Sequence, residues 1–243
     1  MEYTQLFLSH EKKCERDTIS SLKTQLELTE NLLNFYYSIY KKQSEDSETD
    51  LTLLDLALLI IHTRILKGFS CLFGLLKRGH YCECQSLQRD LFELIYLCEY
   101  LLKNPEKVDN WWHGEEIKHR HVANDLELDE PIRKMYGSMC DFTHPNIKGA
   151  RSNLVLEPSS RQIFFRCNPV FHLATAHGLL IQQISFLYIS TRQLFYHFEK
   201  YNHFNSDDEQ TIQNFYGEWQ KERVEWENLM SEGDYDMFPI FFK

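Results

Sequence analysis

The chain has 243 residues, of which 43% are hydrophobic and 14% aromatic, and its formal net charge is −10. It contains only nine glycines and six prolines, which favours long helices with short connections over a β-sandwich, a barrel or a disordered chain. Because the acidic balance repels phosphate backbones, RNA is a disfavoured partner. We therefore expect an all-α protein that does not bind nucleic acid through non-specific charge.

The seven cysteines show no spacing typical of a zinc site or a disulfide framework, since Cys82 and Cys84 form the only close pair. They predict reduced thiols in a cytoplasmic protein. The N-terminus has no basic leader before an apolar run, and the apolar stretch 51–61 is too short to span a membrane. We expect no membrane partner, no metal and no cofactor.

The first part of the chain, residues 1–48, predicts an N-terminal helix followed by an acidic linker. Apolar residues spaced by three and four across residues 3–42 indicate one long helix or two helices with a kink. Thr49 or Asp50 is then expected to cap a second helix that ends near Lys77.

A third helix over residues 87–103 carries two faces of different chemistry. Its leucines fall on one wide apolar stripe, and Arg89, Glu93 and Tyr96 lie nearly opposite. Arg89 and Glu93 are four residues apart and can pair along the helix. Two interpretations stay open: a solvated ion pair, or a helix packed on both sides whose Arg–Glu pair lines a polar pocket.

Residues 105–124 predict a fourth helix, on which His113, Glu116 and either His119 or Arg120 share a face. The Glu116–His119 spacing is used by carboxylate-bridged di-iron bundles, but the sequence lacks the second motif that such a site needs. A short fifth helix runs from Pro131 to His144. Tyr136, Cys140 and His144 recur every four residues on it.

The remainder completes one helical domain over residues 1–243, with a core bundle at 51–203 and a peripheral part at 206–243. Residues 153–166 predict a small β-hairpin, and long helices are expected at 168–201 and 206–233. A capping box is expected at Ser206 and Glu209. The total is six or seven helices with a hairpin insertion and a hydrophobic C-terminal tail, residues 237–242, which should dock on its own domain or on a second subunit.

His144 has three interpretations. It is a C-terminal cap residue, or a general acid/base or ligand-binding group in the polar pocket with Arg89 and Glu93, or the base of a Cys140–His144 nucleophile pair. The third has no visible group to orient the histidine. We take Arg89, Glu93, Tyr96 and His144 as the candidate ligand-binding residues.

The arginine–glutamate helix and the ending Phe142-Thr143-His144-Pro145, followed by a hairpin and a long helix, resemble a group of uncharacterised bacterial all-helical proteins. Some of these are found near mobile elements and phage defence genes. The resemblance covers residues 51–201 and is carried by short motifs. Cys140 stands where that pattern has a serine, which weakens any claim that a hydroxyl is needed there.

Residues 192–197 are also similar to the signature of HEPN-type helical ribonucleases, in which an arginine followed by a polar residue precedes a histidine by a short interval. The resemblance implies that Arg192 and His197 converge across a dimer interface to cleave RNA. A spacing of five residues separates them by about 140° on a regular helix. Arg166 and His172 form a second, weaker match that lacks the polar residue.

Three functions follow from these patterns. The first is an accessory or effector protein of bacterial (antiviral) defence or stress, acting as a homodimer that binds a ligand or protein partner through the polar pocket. The second is an HEPN-like, metal-independent ribonuclease that uses Arg192 and His197. The third is a purely structural interaction module.

Overall fold

The computed structural model describes residues 2–44, 50–143, 154–157, 162–165, 168–201 and 204–231. Helices dominate this part of the chain, which confirms the all-α prediction. Short 3₁₀ turns lie at Pro105–Lys107 and Glu199–Tyr201. The α-helices within the described ranges are α1 (Tyr3–Ser21), α2 (Lys23–Ser44), α3 (Leu53–Lys77), α4 (Tyr81–Lys103), α5 (Val108–Trp112), α6 (His119–Asp125), α7 (Glu130–Thr143), α8 (Leu173–Phe198) and α9 (Ser206–Ser231).

The count of six or seven helices is not supported, because the described ranges hold nine. Residues 3–42 take the two-helix alternative, and the predicted fourth helix is divided. Leu22 leaves the helical conformation (φ −128°, ψ 34°) between α1 and α2. Gly114, with φ +93°, follows α5 in a backbone conformation that glycine adopts most easily. The predicted fourth helix is therefore two short helices, and Glu116 precedes the helix on which His119 lies.

Helices α2, α3 and α4 pack around α8, which has the largest set of buried residues of any described helix. The apolar composition of α8 explains this position, because a helix that is hydrophobic on nearly every face must be covered on nearly every side. Helix α1 packs against α2, α3 and α8, while α9 lies along α8 and also touches α2. The shorter helices pack on α3 and α4, with α5 against α3 and with α6 and α7 against α4.

Helix α3 begins with a capping box at Thr52, two or three residues later than the expected cap at Asp50 or Thr49. The Thr52 hydroxyl accepts from the Asp55 backbone N–H at 3.2 Å, and the Asp55 carboxylate accepts from the Thr52 N–H at 2.8 Å. Among the described helices, α3 is the one long and apolar enough to span a membrane. Its buried residues pack against other helices of the same chain, as in the core helix of a helical bundle.

Three other boundaries differ from prediction. Helix α4 starts at Tyr81 rather than near residue 87, and α8 starts at Leu173, where His172 accepts from the Thr175 N–H. The box that caps α9 lies one residue earlier than Ser206 and Glu209. There the Asn205 side chain accepts from the Asp208 N–H at 3.0 Å, and Asp208 accepts from the Asn205 N–H at 3.1 Å.

Two short strands, β1 (Leu154–Glu157) and β2 (Gln162–Phe165), pair antiparallel with Leu154 opposite Phe165. The residues that flank and join them lie outside the described ranges. How these strands attach to the bundle is therefore untested, and the hairpin insertion stays a prediction. His144, Pro145 and the hydrophobic tail also lie outside the described residues.

Candidate functional site

The face of α4 that carries Arg89 and Glu93 is covered by α7, whose Tyr136 joins the pair. Arg89 Nη2 donates to Glu93 Oε1 at 2.7 Å, and the Tyr136 hydroxyl donates to the same oxygen at 2.6 Å. Arg89 Nη2 also lies 3.5 Å from the Tyr136 hydroxyl. One carboxylate oxygen of Glu93 therefore accepts hydrogen bonds from the Arg89 guanidinium of α4 and from the Tyr136 phenol of α7.

Aromatic rings enclose one side of this group. The Tyr136 ring stacks on Phe92 with centroids 5.4 Å apart, and the His119 ring lies 4.0 Å from that of Tyr136. Phe92 is fully buried, so the polar atoms are set against the hydrophobic core. We call Arg89, Glu93, Phe92, His119 and Tyr136 the Arg89 cluster.

The charges in the cluster shift the pKa values of its members. Burial raises the pKa of the Tyr136 hydroxyl, and its hydrogen bond to Glu93 raises it further, so the phenol stays protonated and donates. Burial works against the charge of Arg89, but Tyr136 and Glu93 outweigh it and raise the pKa of the guanidinium. Burial, then Arg89, lower the pKa of His119, although Glu93 opposes the shift. His119 is therefore a neutral ring at neutral pH.

One atom of the cluster is unsatisfied. Arg89 Nε is buried and has no hydrogen-bond acceptor within the part of the chain that the structure describes. The Arg89 side chain is 21% exposed and that of Glu93 is 31% exposed, so solvent or a ligand reaches the cluster's edge. A buried N–H without an acceptor costs about 1–3 kcal/mol, and such atoms are uncommon in folded proteins.

The other predicted pocket residues divide into two groups. The Tyr96 ring lies tilted against Phe92 with centroids 4.4 Å apart, and burial together with nearby Asp129 raises the pKa of its hydroxyl. Tyr96 thus borders the cluster from the side of α4. The Cys140 thiol is close enough to Tyr136 to raise that residue's pKa, whereas His144 lies outside the described residues.

A second polar group, which the sequence did not predict, lies between the start of α3 and the end of α8. The Asp55 carboxylate is fully buried and accepts from His197 Nε2 at 2.6 Å and from Lys200 Nζ at 3.0 Å. Its other oxygen accepts from the Tyr201 hydroxyl at 2.6 Å and from the Thr52 hydroxyl at 2.6 Å. We call this group the Asp55 cluster.

The hydrogen bonds of this cluster set its protonation. Burial by itself raises the pKa of Asp55, but donors from Thr52, Tyr201 and His197 outweigh it and hold the pKa well below its usual range. Burial lowers the pKa of His197, although Asp55 opposes the shift. The neutral ring donates through Nε2, so Nδ1 carries the free lone pair.

His62 lies behind this cluster and is almost fully buried. Its Nδ1 is 2.6 Å from the Tyr36 hydroxyl. Burial, followed by the positive charge that His197 carries when it is protonated, lowers the pKa of His62 to about 3. His62 is a neutral core histidine that accepts a hydrogen bond.

Arg192 and His197 are not brought together within the chain. Both lie on the continuous helix α8, where the guanidinium of Arg192 sits over the rings of Tyr188 and Tyr196, at 5.7 and 5.4 Å. His197 faces Asp55 on another side of that helix. The described residues also contain no group of three or more His, Cys, Asp or Glu side chains able to hold a metal ion.

Residues 55–134 match a family of unknown function, DUF5677. The matched stretch is a minority of the chain, and it contains Asp55, Arg89 and Glu93 but ends before Tyr136. It supports a resemblance to an uncharacterised family over α3 to the start of α7. No curated protein and no solved structure matches the chain.

Two cluster residues carried a readable sequence signal. Thr52 three residues before Asp55, at the start of an apolar run, is the pattern of a capping box and predicts that Asp55 serves a polar role inside an apolar helix. Tyr136 shares a helical face with Cys140 and His144, and the hypothesis that His144 lies beside Arg89 and Glu93 would bring this face to the pair. His119 carried no usable signal, because its position depends on the break between α5 and α6.

Proposed function

We propose that this protein acts by binding, as an accessory or effector of bacterial defence or stress, through a polar pocket at the Arg89 cluster. The observation that carries the proposal is the buried Nε of Arg89, which has no acceptor among the described residues. A ligand oxygen would satisfy it. The setting in defence rests on the resemblance of residues 51–201 to bacterial proteins near phage defence genes.

The cluster favours a particular kind of ligand. Arg89 pairs with Glu93 at 2.7 Å and also lies 4.0 Å from Asp90, so the group carries no excess positive charge. Hydrogen-bond geometry then decides affinity more than net charge does. A carbonyl, carboxylate or phosphate oxygen suits Arg89 Nε, and the rings of Tyr136 and His119 offer an apolar wall beside it.

A thermal-shift experiment tests this function. Wild type, Arg89→Gln and the control Arg120→Gln, which alters an exposed arginine of α6, are melted with inorganic phosphate, adenosine and guanosine mononucleotides and small dicarboxylic acids. A compound at about 100 times its Kd adds about 2.7 kcal/mol, or about 5–11 °C for a chain of this size. We expect that shift in wild type and in Arg120→Gln and its loss in Arg89→Gln. Equal shifts in all three proteins would refute the proposal.

An HEPN-like ribonuclease is the second candidate. The observation that favours it is the bond from Asp55 to His197, which orients the ring and leaves Nδ1 able to accept a proton. Its weakness is that His197 and Arg192, which sits among tyrosine rings, lie apart on α8. The two side chains would therefore have to meet across a homodimer. Cleavage of total RNA by wild type, lost in His197→Ala and in Arg192→Ala but retained in Arg120→Ala, would support this candidate.

The third candidate is an interaction module. In that case these substitutions should change neither the thermal shift nor the cleavage of RNA. The proposal further includes a cytoplasmic location and a homodimer. Sedimentation equilibrium of the purified protein tests the homodimer.

A further inference from the structure

The side of α3 that faces away from the bundle carries exposed apolar side chains. Leu56 is 39% exposed and Ile60 is 48% exposed, and Leu53 is half-buried on the same side. The basic residues Arg64 and Lys67 continue this side along the helix, and both are exposed. Spacings of three and four residues place all five on one face, which we call the α3 outer face.

The other sides of α3 are covered by the chain itself. His62 is hydrogen-bonded to α2, the carbonyl of Phe69 accepts from α8, and Gly68 lies against α4. By helical periodicity these three contacts lie away from the α3 outer face. Only 44% of the most apolar 18-residue stretch of α3 is buried within the chain. The bundle therefore leaves this apolar helix open on one side.

The spacing of the exposed residues suits a second helix. Leu53, Leu56, Ile60 and Thr63 are separated by three, four and three residues, which is the spacing of a seam between two paired helices. Tyr40 of α2 borders this seam, because its hydroxyl lies 2.7 Å from that of Thr63. A second copy of α3 carries the same spacing. If two copies run antiparallel about a twofold axis between Leu56 and Ile60, each leucine faces the other copy's isoleucine.

The charges beside the seam favour the same arrangement. In that register residue 52 of one copy lies opposite residue 64 of the other, so the exposed Asp50 comes near Arg64 and Lys67 of the second copy at both ends. Within the described residues, none of these three side chains has an ion pair within 4.0 Å. Burial raises the pKa of Asp90, and Arg64 is close enough to oppose that shift. A parallel pair would instead set Arg64 beside Arg64, which like charges disfavour.

We propose that a second copy of this chain covers the α3 outer face through an antiparallel contact between the two α3 helices. The inference rests on the homodimer of the proposed function and gives that homodimer its interface. Leu56 and Ile60 form the apolar centre, and Asp50 with Arg64 and Lys67 forms a polar rim at each end, as in interfaces between proteins.

Sedimentation equilibrium of the full chain tests the apolar centre. We expect wild type to dimerise and Ile60→Glu to weaken dimerisation at least about tenfold, because the change places a charge at the centre of the interface. Val224→Glu is the matched control, since Val224 of α9 is also β-branched and 48% exposed. It should leave dimerisation unchanged, with circular dichroism confirming the fold of both variants. Equal dimerisation of Ile60→Glu and wild type would overturn the proposal.

A charge exchange tests the antiparallel register. Asp50→Lys should weaken dimerisation, and adding Arg64→Glu and Lys67→Glu to it should restore the wild-type association. A parallel or unrelated interface gives no such rescue, so a triple variant no better than Asp50→Lys alone would overturn the register.

This result is separable from ligand binding. Wild type that stays monomeric up to about 0.1 mM would overturn both the interface and the homodimer, whereas ligand binding at the Arg89 cluster is measured by the thermal shift of Arg89→Gln. A ligand screen without any shift would leave the dimerisation results standing.

Discussion

At the scale of single residues, Asp55 does the most to join distant parts of the chain. Its carboxylate caps the helix on which it lies and also accepts from His197, Lys200 and Tyr201 at the end of α8 and the turn that follows it. A buried charge is tolerated because every side of it is hydrogen-bonded, and removing the charge leaves several donors without a strong acceptor.

Replacing Asp55 by asparagine tests this role. The amide keeps one acceptor but presents an N–H₂ group to donors, so we expect a loss of about 3 kcal/mol in the free energy of unfolding. Asp90→Asn is the matched control, since the Asp90 side chain is 60% exposed. Urea unfolding monitored by circular dichroism measures both. A loss no larger for Asp55→Asn than for the control would show that the cluster contributes little.

Tyr136→Phe tests the hydroxyl that bridges α7 to Glu93. The change removes one hydrogen bond to a charged group and leaves the ring contacts with Phe92 and His119, so we expect a loss of about 1–2 kcal/mol. Tyr37→Phe, at a side of α2 where the tyrosine is 51% exposed, should cost less than about 0.5 kcal/mol. Chemical denaturation of the two variants in parallel measures both losses in the free energy of unfolding. Indistinguishable midpoints would contradict the prediction.

At the scale of helices and turns, the end of α3 depends on one backbone conformation. Gly79 has φ +83°, and a Cβ at that position would lie 3.1 Å from Cys14 Sγ and 3.3 Å from the Val170 backbone nitrogen. The turn from α3 into α4 therefore needs a residue without a side chain, both for its dihedral angle and for the close approach of α1 and residue 170. Gly74 lies within α3 and a Cβ there would meet nothing within 4 Å.

The two glycines should respond to alanine in opposite directions. Gly79→Ala introduces backbone strain and a crowded Cβ and should destabilise the protein by about 1–3 kcal/mol. Gly74→Ala reduces the freedom of the unfolded chain and should stabilise it by about 0.5–1 kcal/mol. Differential scanning calorimetry gives both values, and a neutral Gly79→Ala would remove the argument from strain.

At the scale of the whole molecule, buried histidines make the fold sensitive to acid. Burial lowers the pKa of His62, His177 and His197 relative to exposed histidine. The unfolded chain therefore binds more protons than the native one below about pH 6.5, so stability falls as the pH falls from there toward the native pKa values. Asp55 adds a further loss below its ordinary pKa, since hydrogen bonding holds its native pKa lower.

The free energy of unfolding should accordingly be lower at pH 5 than at pH 7.5. His62 alone, with a pKa of about 3 in the native protein, contributes a difference of about 2 kcal/mol over that interval. His62→Gln should reduce the difference between the two pH values, and His113→Gln, at a side chain that is 70% exposed, should leave it unchanged. Guanidinium titrations at both pH values measure it. Equal stability of wild type at pH 5 and pH 7.5 would contradict the prediction.

Much of the architecture follows from local pattern, and the errors have physical causes. The apolar stripe of residues 87–103 and the scarcity of glycine predicted long packed helices, because burial of a periodic apolar face depends only on nearby sequence. The sequence did not predict the division of residues 105–124 into α5 and α6. A single glycine such as Gly114 in a helical pattern breaks the helix only when it takes a positive φ, and the pattern does not show that angle. The same break decides where His119 lies.

The sequence by itself determined the all-helical class and the pairing of Arg89 with Glu93 one turn apart, whereas it placed the cap of α3 at Thr49 or Asp50 instead of Thr52. The first two follow from contacts between neighbours along a helix, whose geometry is the same in every protein. Only the tertiary structure decided that Tyr136 joins Arg89, that Asp55 holds His197 across 142 residues, and that Arg192 lies among tyrosines instead. Such contacts depend on which helices pack together, and that choice is made by the burial of the whole core rather than by any short stretch.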